Sequence, residues 1–244
     1  MLSEGLYQTK LAGDPTEYLN QSFLDAYRTA TNRDALRFRD LMADMERRRT
    51  SPNGVFGMNV KYDQMAAAFR ELPNAVTDYL RTCDLVIWLQ RRDRVQQAVS
   101  AAKSRQRRVF NIYRDQAYDP RALATRADAH PADVATMLDR ITEIDRNWAQ
   151  TFEKIGVRPV RIFYEDVSAH YHAVLRRVLA ALGVEAEAAD LPEPPTVKLR
   201  TEEDARLRRA FFAHLGVSAF TGDIPGVNET ITVSPAARGD RSSR

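Results

Sequence analysis

"CDLVIWLQRRDRVQQAVS", residues Cys83 to Ser100, decides the fold. Its first half, 83–90, holds a continuous apolar run of the kind that parallel sheets bury on both faces, and it reads as a strand. Its second half reads as a helix over 93–108, with Asp93 as the N-terminal cap. Strand followed directly by helix, repeated along a chain, argues for an α/β fold with a parallel sheet. Such sheets bind ligands beyond the carboxyl ends of their strands. Arg91 and Arg92 stand at that end here.

The same reading extends in both directions. "VFGMNV" at 55–60 is a short β-branched and aromatic run that reads as a strand, and "RPVRIFYED" predicts another at about 159–164. Helices are expected at 2–11, 33–48, 62–72, 132–156, 169–183 and 201–214, with Gly156 and Gly183 as C-terminal stops. "TSPNG" is a turn and "LPEPP" breaks the chain. One α/β unit over 1–220 and a polar tail over 221–244 are the expected organisation. Three segments then lie at sheet ends: the loop after 55–60, the Arg91–Arg92 pair, and Glu165 with Asp166 after "VRIFY".

Composition narrows the class. The 244 residues are 44% hydrophobic and 28% charged, which fits a globular protein. No apolar run approaches the roughly 18 residues that span a bilayer, and the N-terminus lacks the pattern of a signal peptide. Cys83 is the single cysteine, so no internal disulfide forms, and a cytoplasmic location is the expectation. The net charge of +3 suits an anionic small ligand and a nucleic acid alike. Basic residues cluster at "RRDR" (91–94) and "KSRQRR" (103–108), where a solvated helix face is the plain alternative. A nucleic-acid partner would have to use the 103–108 face, and no aromatic-rich strand supports one, so none is expected. His170 and His172 are two apart and cannot share a metal from one helix face, and no zinc pattern occurs, so no metal is expected. Cys83, Trp88 and Trp148 read as packing residues.

Four stretches taken together carry a family resemblance. "LAGDPTEYLN" (11–20), "SPNGVFGMNVKYDQ" (51–64), "VIWLQRRDRVQQAVS" (86–100) and "WAQTFEKIGVRPVRIFYEDV" (148–167) resemble, in that order, the bacterial sulfotransferases related to mycobacterial trehalose 2-sulfotransferase. The resemblance covers roughly residues 2–215. It implies a P-loop-like α/β sulfotransferase fold, a parallel sheet flanked by helices. It also implies transfer of a sulfuryl group from 3′-phosphoadenosine 5′-phosphosulfate to a carbohydrate or glycolipid hydroxyl, without a metal. Glu17 then matches the catalytic base, and Arg91 and Ser100 match the pair that holds the donor's 3′-phosphate, with Arg92 as the adjacent alternative. Lys198 and Arg200 match a basic C-terminal loop near the donor. A homodimer is implied by the family alone.

Residue chemistry agrees with those roles. A sugar hydroxyl is a poor nucleophile, and a carboxylate within hydrogen-bond reach improves it by taking the proton. Pro15 stiffens the backbone before Glu17, and Gly13 permits an unusual turn. A guanidinium offers a planar fork of donors that matches phosphate oxygens, and Ser100 adds a hydroxyl two helical turns into the following helix. The plain alternatives are a carboxylate near a helix start, a surface arginine and a helix serine.

The sequence departs from the family pattern in two places. The family opens with a strand and an Arg-x-Gly-Ser-Thr loop for the 5′-phosphosulfate, and residue 1 here falls just after it, so an N-terminally truncated form is the expectation. A truncated, non-catalytic remnant that binds nucleotide or a partner is the competing function. The lysine of the family's "GVFG-x-Lys" segment is replaced by Asn59, with Lys61 two residues on as a substitute. The 113–131 segment is the expected specificity loop, and the acceptor itself is not readable.

Overall fold

The structure is a computed structural model that describes residues 1–33, 35–68, 73–107, 128–187, 191–196 and 202–216. Lys198, Arg200, the 221–244 tail and most of the 113–131 segment lie outside the described residues. The described elements, in chain order, are α1 (Leu2–Gln8), α2 (Gln21–Thr31), α3 (Phe38–Arg49), α4 (Tyr62–Ala68), α5 (Pro73–Leu80), β1 (Ile87–Gln90), α6 (Arg94–Arg107), α7 (Pro131–Ile155), β2 (Val160–Phe163), α8 (Tyr164–Ala169), α9 (Tyr171–Ala181) and α10 (Glu202–His214). The protein is thus α/β, mostly helical, around a small parallel sheet.

The two strands pair in parallel, with Ile87 opposite Val160 and Gln90 opposite Phe163. Helices pack on both faces, although Leu89 of β1 keeps 46% of its exposure. On one face Trp88 packs edge-on against Phe152 of α7, with ring centroids 5.5 Å apart. On the other, Ile87, Val160 and Ile162 join α1 and α9 through Leu2, Leu6, Val174, Leu175 and Val178. A second cluster is built from Tyr18, Leu19, α2, α3 and Val76 of α5. A third joins α6, α7 and α10 through Val99, Val134, Leu207 and Phe211.

Helix ends follow local chemistry. The Asp93 carboxylate accepts the backbone N–H of Gln96 at 2.9 Å, so the expected cap of α6 is formed. Gly156 closes α7 at φ +69°, the left-handed conformation that suits glycine. The structure differs from expectation at 55–60. There is no strand there; Met58 makes one isolated parallel bridge to Thr16. The partner segment is a turn, and one pair is all that its geometry offers. Three helices, α2, α5 and the short α8, arise where none was expected. α2 is signalled by Asn20, whose side chain accepts the N–H of Ser22 at 3.0 Å, and by buried Leu24 and Tyr27 three apart. α5 begins at a proline, a residue suited to a first helical turn.

Candidate active site

Glu17 sits on a turn that the rest of the molecule builds closely. Gly13 has φ +68°, and a Cβ there would lie 2.9 Å from the carbonyl oxygens of both Arg49 and Val55. Only glycine meets both demands. The turn is then locked: Asp14 N–H donates to Arg49 O at 3.1 Å, and Asn59 N–H donates to Thr16 O at 2.9 Å. Arg49 pairs with Asp14 at 2.7 Å. Next to Glu17, Tyr18 is fully buried, stacked on Phe56. Its hydroxyl donates to the carbonyl of Asp14. The backbone that carries Glu17 is therefore anchored on both sides, while its side chain keeps 28% of its exposure.

The carboxylate has a partner on each oxygen. Lys61 Nζ lies 2.8 Å from Oε1, and Gln64 Nε2 donates to Oε2 at 2.8 Å. Burial pushes the Glu17 carboxyl up, but the hydrogen bonds from Lys61, Gln64 and Asn20 and the Lys61 charge outweigh it, and it ends below its ordinary value of 4.5. Glu17 is thus held ionised. Asn59 is turned elsewhere, donating from Nδ2 to Ser3 Oγ of α1 at 3.2 Å.

The second group of expected residues lies at the carboxyl end of β1. Arg91 lays its guanidinium over the Tyr164 ring, 3.8 Å from the centroid. It makes no ion pair among the described residues. Arg92 is engaged differently: its two terminal nitrogens grip Asp166 at 2.7 and 2.9 Å, and its plane covers Phe163 at 4.1 Å. Glu165 accepts the backbone N–H groups of Arg92 at 3.1 Å and Asp93 at 3.4 Å. Glu165 and Asp166 therefore organise the turn from β1 into α6, and the fork of Arg92 is committed to that turn. Arg91 is left without a carboxylate partner among the described residues.

Ser100 is half-buried on α6, and its neighbours Ala98 and Val99 are fully buried in the third cluster. Behind it α6 is tied to α10. Lys103 is buried and reaches Asp204 at 2.6 Å and Glu203 at 3.0 Å, and Arg208 grips Asp93 at 2.8 and 2.9 Å. The first residue of the basic 103–108 run thus points inward. Sequence reasoning passed over Gln64 and Tyr164. Their signal was available only as adjacency to the loop after 55–60 and to the end of β2.

Comparison with known proteins adds the lineage. The chain is 26% identical over 153 residues to a trehalose 2-sulfotransferase of Mycolicibacterium smegmatis, a match covering 58% of this chain and 55% of that protein. It is 27% identical over 153 residues to the trehalose 2-sulfotransferase of Mycobacterium tuberculosis, with the same coverage. The chain thus spans about half the length of these relatives, 55% of each. A family model described as Stf0 sulphotransferase matches residues 1–209. With the anchored Glu17 turn and the strand-end Arg91 both inside that span, the chain belongs to the Stf0 sulphotransferase family.

Proposed function

We propose that the protein is a sulfotransferase that moves a sulfuryl group from 3′-phosphoadenosine 5′-phosphosulfate to a hydroxyl of a carbohydrate or glycolipid. The sugar class rests on the printed activity of the two mycobacterial relatives. The observation that carries the reading is Glu17: an ionised carboxylate, fixed on a rigid turn and still partly open to solvent. A base for an alcohol must be ionised and within reach of the hydroxyl, which Glu17 is placed to be; the lowered pKa secures the ionised form at the expense of proton affinity.

The donor supplies the sulfuryl group and departs as adenosine 3′,5′-bisphosphate. Glu17 accepts the proton of the acceptor hydroxyl as its oxygen bonds to sulfur and the sulfur–phosphate oxygen bond breaks. The residues at the end of β1 fit the donor's 3′-phosphate. Arg91 is held over the Tyr164 ring with no carboxylate among the described residues to compete for it, and Ser100 adds a hydroxyl from α6. Lys198 and Arg200 belong to the same proposal as further donor contacts. The P-loop-like character of the fold is part of this reading too.

The test is sulfate transfer from radiolabelled donor to a panel of sugar acceptors. Glu17→Gln keeps the shape and removes the base, so transfer is expected to fall by about 10²–10⁴ with the affinity for adenosine 3′,5′-bisphosphate little changed. A variant that turns over at the wild-type rate would take Glu17 out of the reaction.

A further inference from the structure

The Glu17 carboxylate is clamped from a single neighbouring stretch. Lys61 and Gln64 stand at the opening of α4, three residues apart, and each takes a different carboxylate oxygen, both at 2.8 Å. The stretch that carries them is bound to the turn that carries Glu17 by the Thr16–Met58 bridge and the Asn59 to Thr16 hydrogen bond. Clamp and carboxylate therefore share one backbone frame. The two partners are unlike in kind. Lys61 is a charge on a long side chain that keeps 60% of its exposure. Gln64 is half-buried, and its Oε1 is buried without a hydrogen-bond partner. A side chain that leaves one buried polar atom unmatched has its orientation set by the other. Here the amide turns its N–H groups to Glu17, which suits an ionised carboxylate, since that group only accepts hydrogen bonds.

We propose that Lys61 and Gln64 are positioning residues for this reaction: Lys61 keeps the Glu17 carboxylate charged, and Gln64 sets the plane in which its remaining lone pairs meet the acceptor hydroxyl. The proposal rests on the reading of Glu17 as the base. A carboxylate offers about four lone-pair positions. Lys61 and Gln64 take one on each oxygen and Asn20 on the same turn bears on it as well, so few directions are left open to a substrate. The division of labour is specific. Losing the charge should move a titration; losing the amide should chiefly misdirect the base.

The experiment uses the full chain and has two readouts. The first is the carboxyl carbon resonance of Glu17 followed against pH, assigned by its loss in Glu17→Gln. The second is the pH profile of sulfate transfer. Lys61→Met is expected to raise the Glu17 midpoint by about one pH unit, since an adjacent opposite charge lowers a carboxyl pKa by about one unit or more. The acid limb of the transfer profile should move by the same amount, and Lys61→Arg should restore both. Gln64→Leu should lower kcat about tenfold or more, as misplacement of a catalytic group does, with a smaller midpoint shift than Lys61→Met. A midpoint unmoved in Lys61→Met, or a Gln64→Leu variant with wild-type kcat, would overturn the proposal. A midpoint that moves while the acid limb stays would leave the charge role of Lys61 standing and refute Glu17 as the base.

Discussion

Arg91 and Arg92 are identical in type and adjacent, yet their environments assign them opposite duties. Arg92 has Asp166 on its fork and Phe163 beneath it, and it holds β2 and α8 against the end of β1. Arg91 has an aromatic face beneath it and, among the described residues, no carboxylate. An arginine backed by a ring keeps its planar fork oriented for an oxyanion. We expect Arg91→Ala to weaken adenosine 3′,5′-bisphosphate by about 1.5–3 kcal/mol, the worth of charge-assisted contacts, while Tm is nearly unchanged. Calorimetry with equal affinity in the two proteins would remove Arg91 from the donor site. Glu17 adds a pH rule at the same scale. Its carboxyl lies below 4.5 when folded, so the base form is present from the ordinary carboxylate range upward and is lost only as pH falls through the lowered value. Wild-type transfer should therefore keep its base-dependent step down to about pH 4.5, read as an acid limb below that point.

At the scale of elements, α6 is the member that links site to scaffold. Its N-terminus leaves β1 through the Glu165 turn, its middle carries Ser100, and its far half is joined to α10. The junction includes a buried ammonium beside two carboxylates. Removing Lys103 would leave Asp204 and Glu203 without that charge in a buried setting. Lys103→Met is expected to cost about 3–5 kcal/mol, as breaking a buried pair does, with α10 becoming the first helix to be cleaved in limited proteolysis. A melting curve equal to wild type would mean that α10 is held without the Lys103 pair, by Leu207, Phe211 and the Arg208–Asp93 pair. The same scale explains the one lost strand. "VFGMNV" has strand-like composition, but a strand needs a partner of matching length, and the Glu17 turn offers only Thr16.

At the scale of the whole molecule, the proposal predicts a ligand-linked rise in stability. At about 100 times its Kd, adenosine 3′,5′-bisphosphate should stabilise the fold by about 2.7 kcal/mol, which for a chain of this size raises Tm by about 5–10 °C. In Arg91→Ala the same concentration should leave no more than about half of that rise. A Tm that ignores the bisphosphate at millimolar concentration would count against a nucleotide site. Among the described residues no helix is long and apolar enough to cross a membrane. By itself the sequence determined what local chemistry determines. It placed β1, because an uninterrupted apolar run has few other uses, β2, from the strand-forming Val160, Ile162 and Phe163 around Arg161, and α6 with Asp93 as its cap. It also placed Gly13 in an unusual turn, because these signals lie within a few residues of one another. Tertiary structure alone decided which of two arginines is engaged, that Lys103 points inward, that 55–60 is a bridge, and that Lys61 and Gln64 close on Glu17. Those outcomes depend on groups 42 to 101 positions apart in the chain. No local pattern reports such pairings, because the energy that selects them appears only when the elements pack.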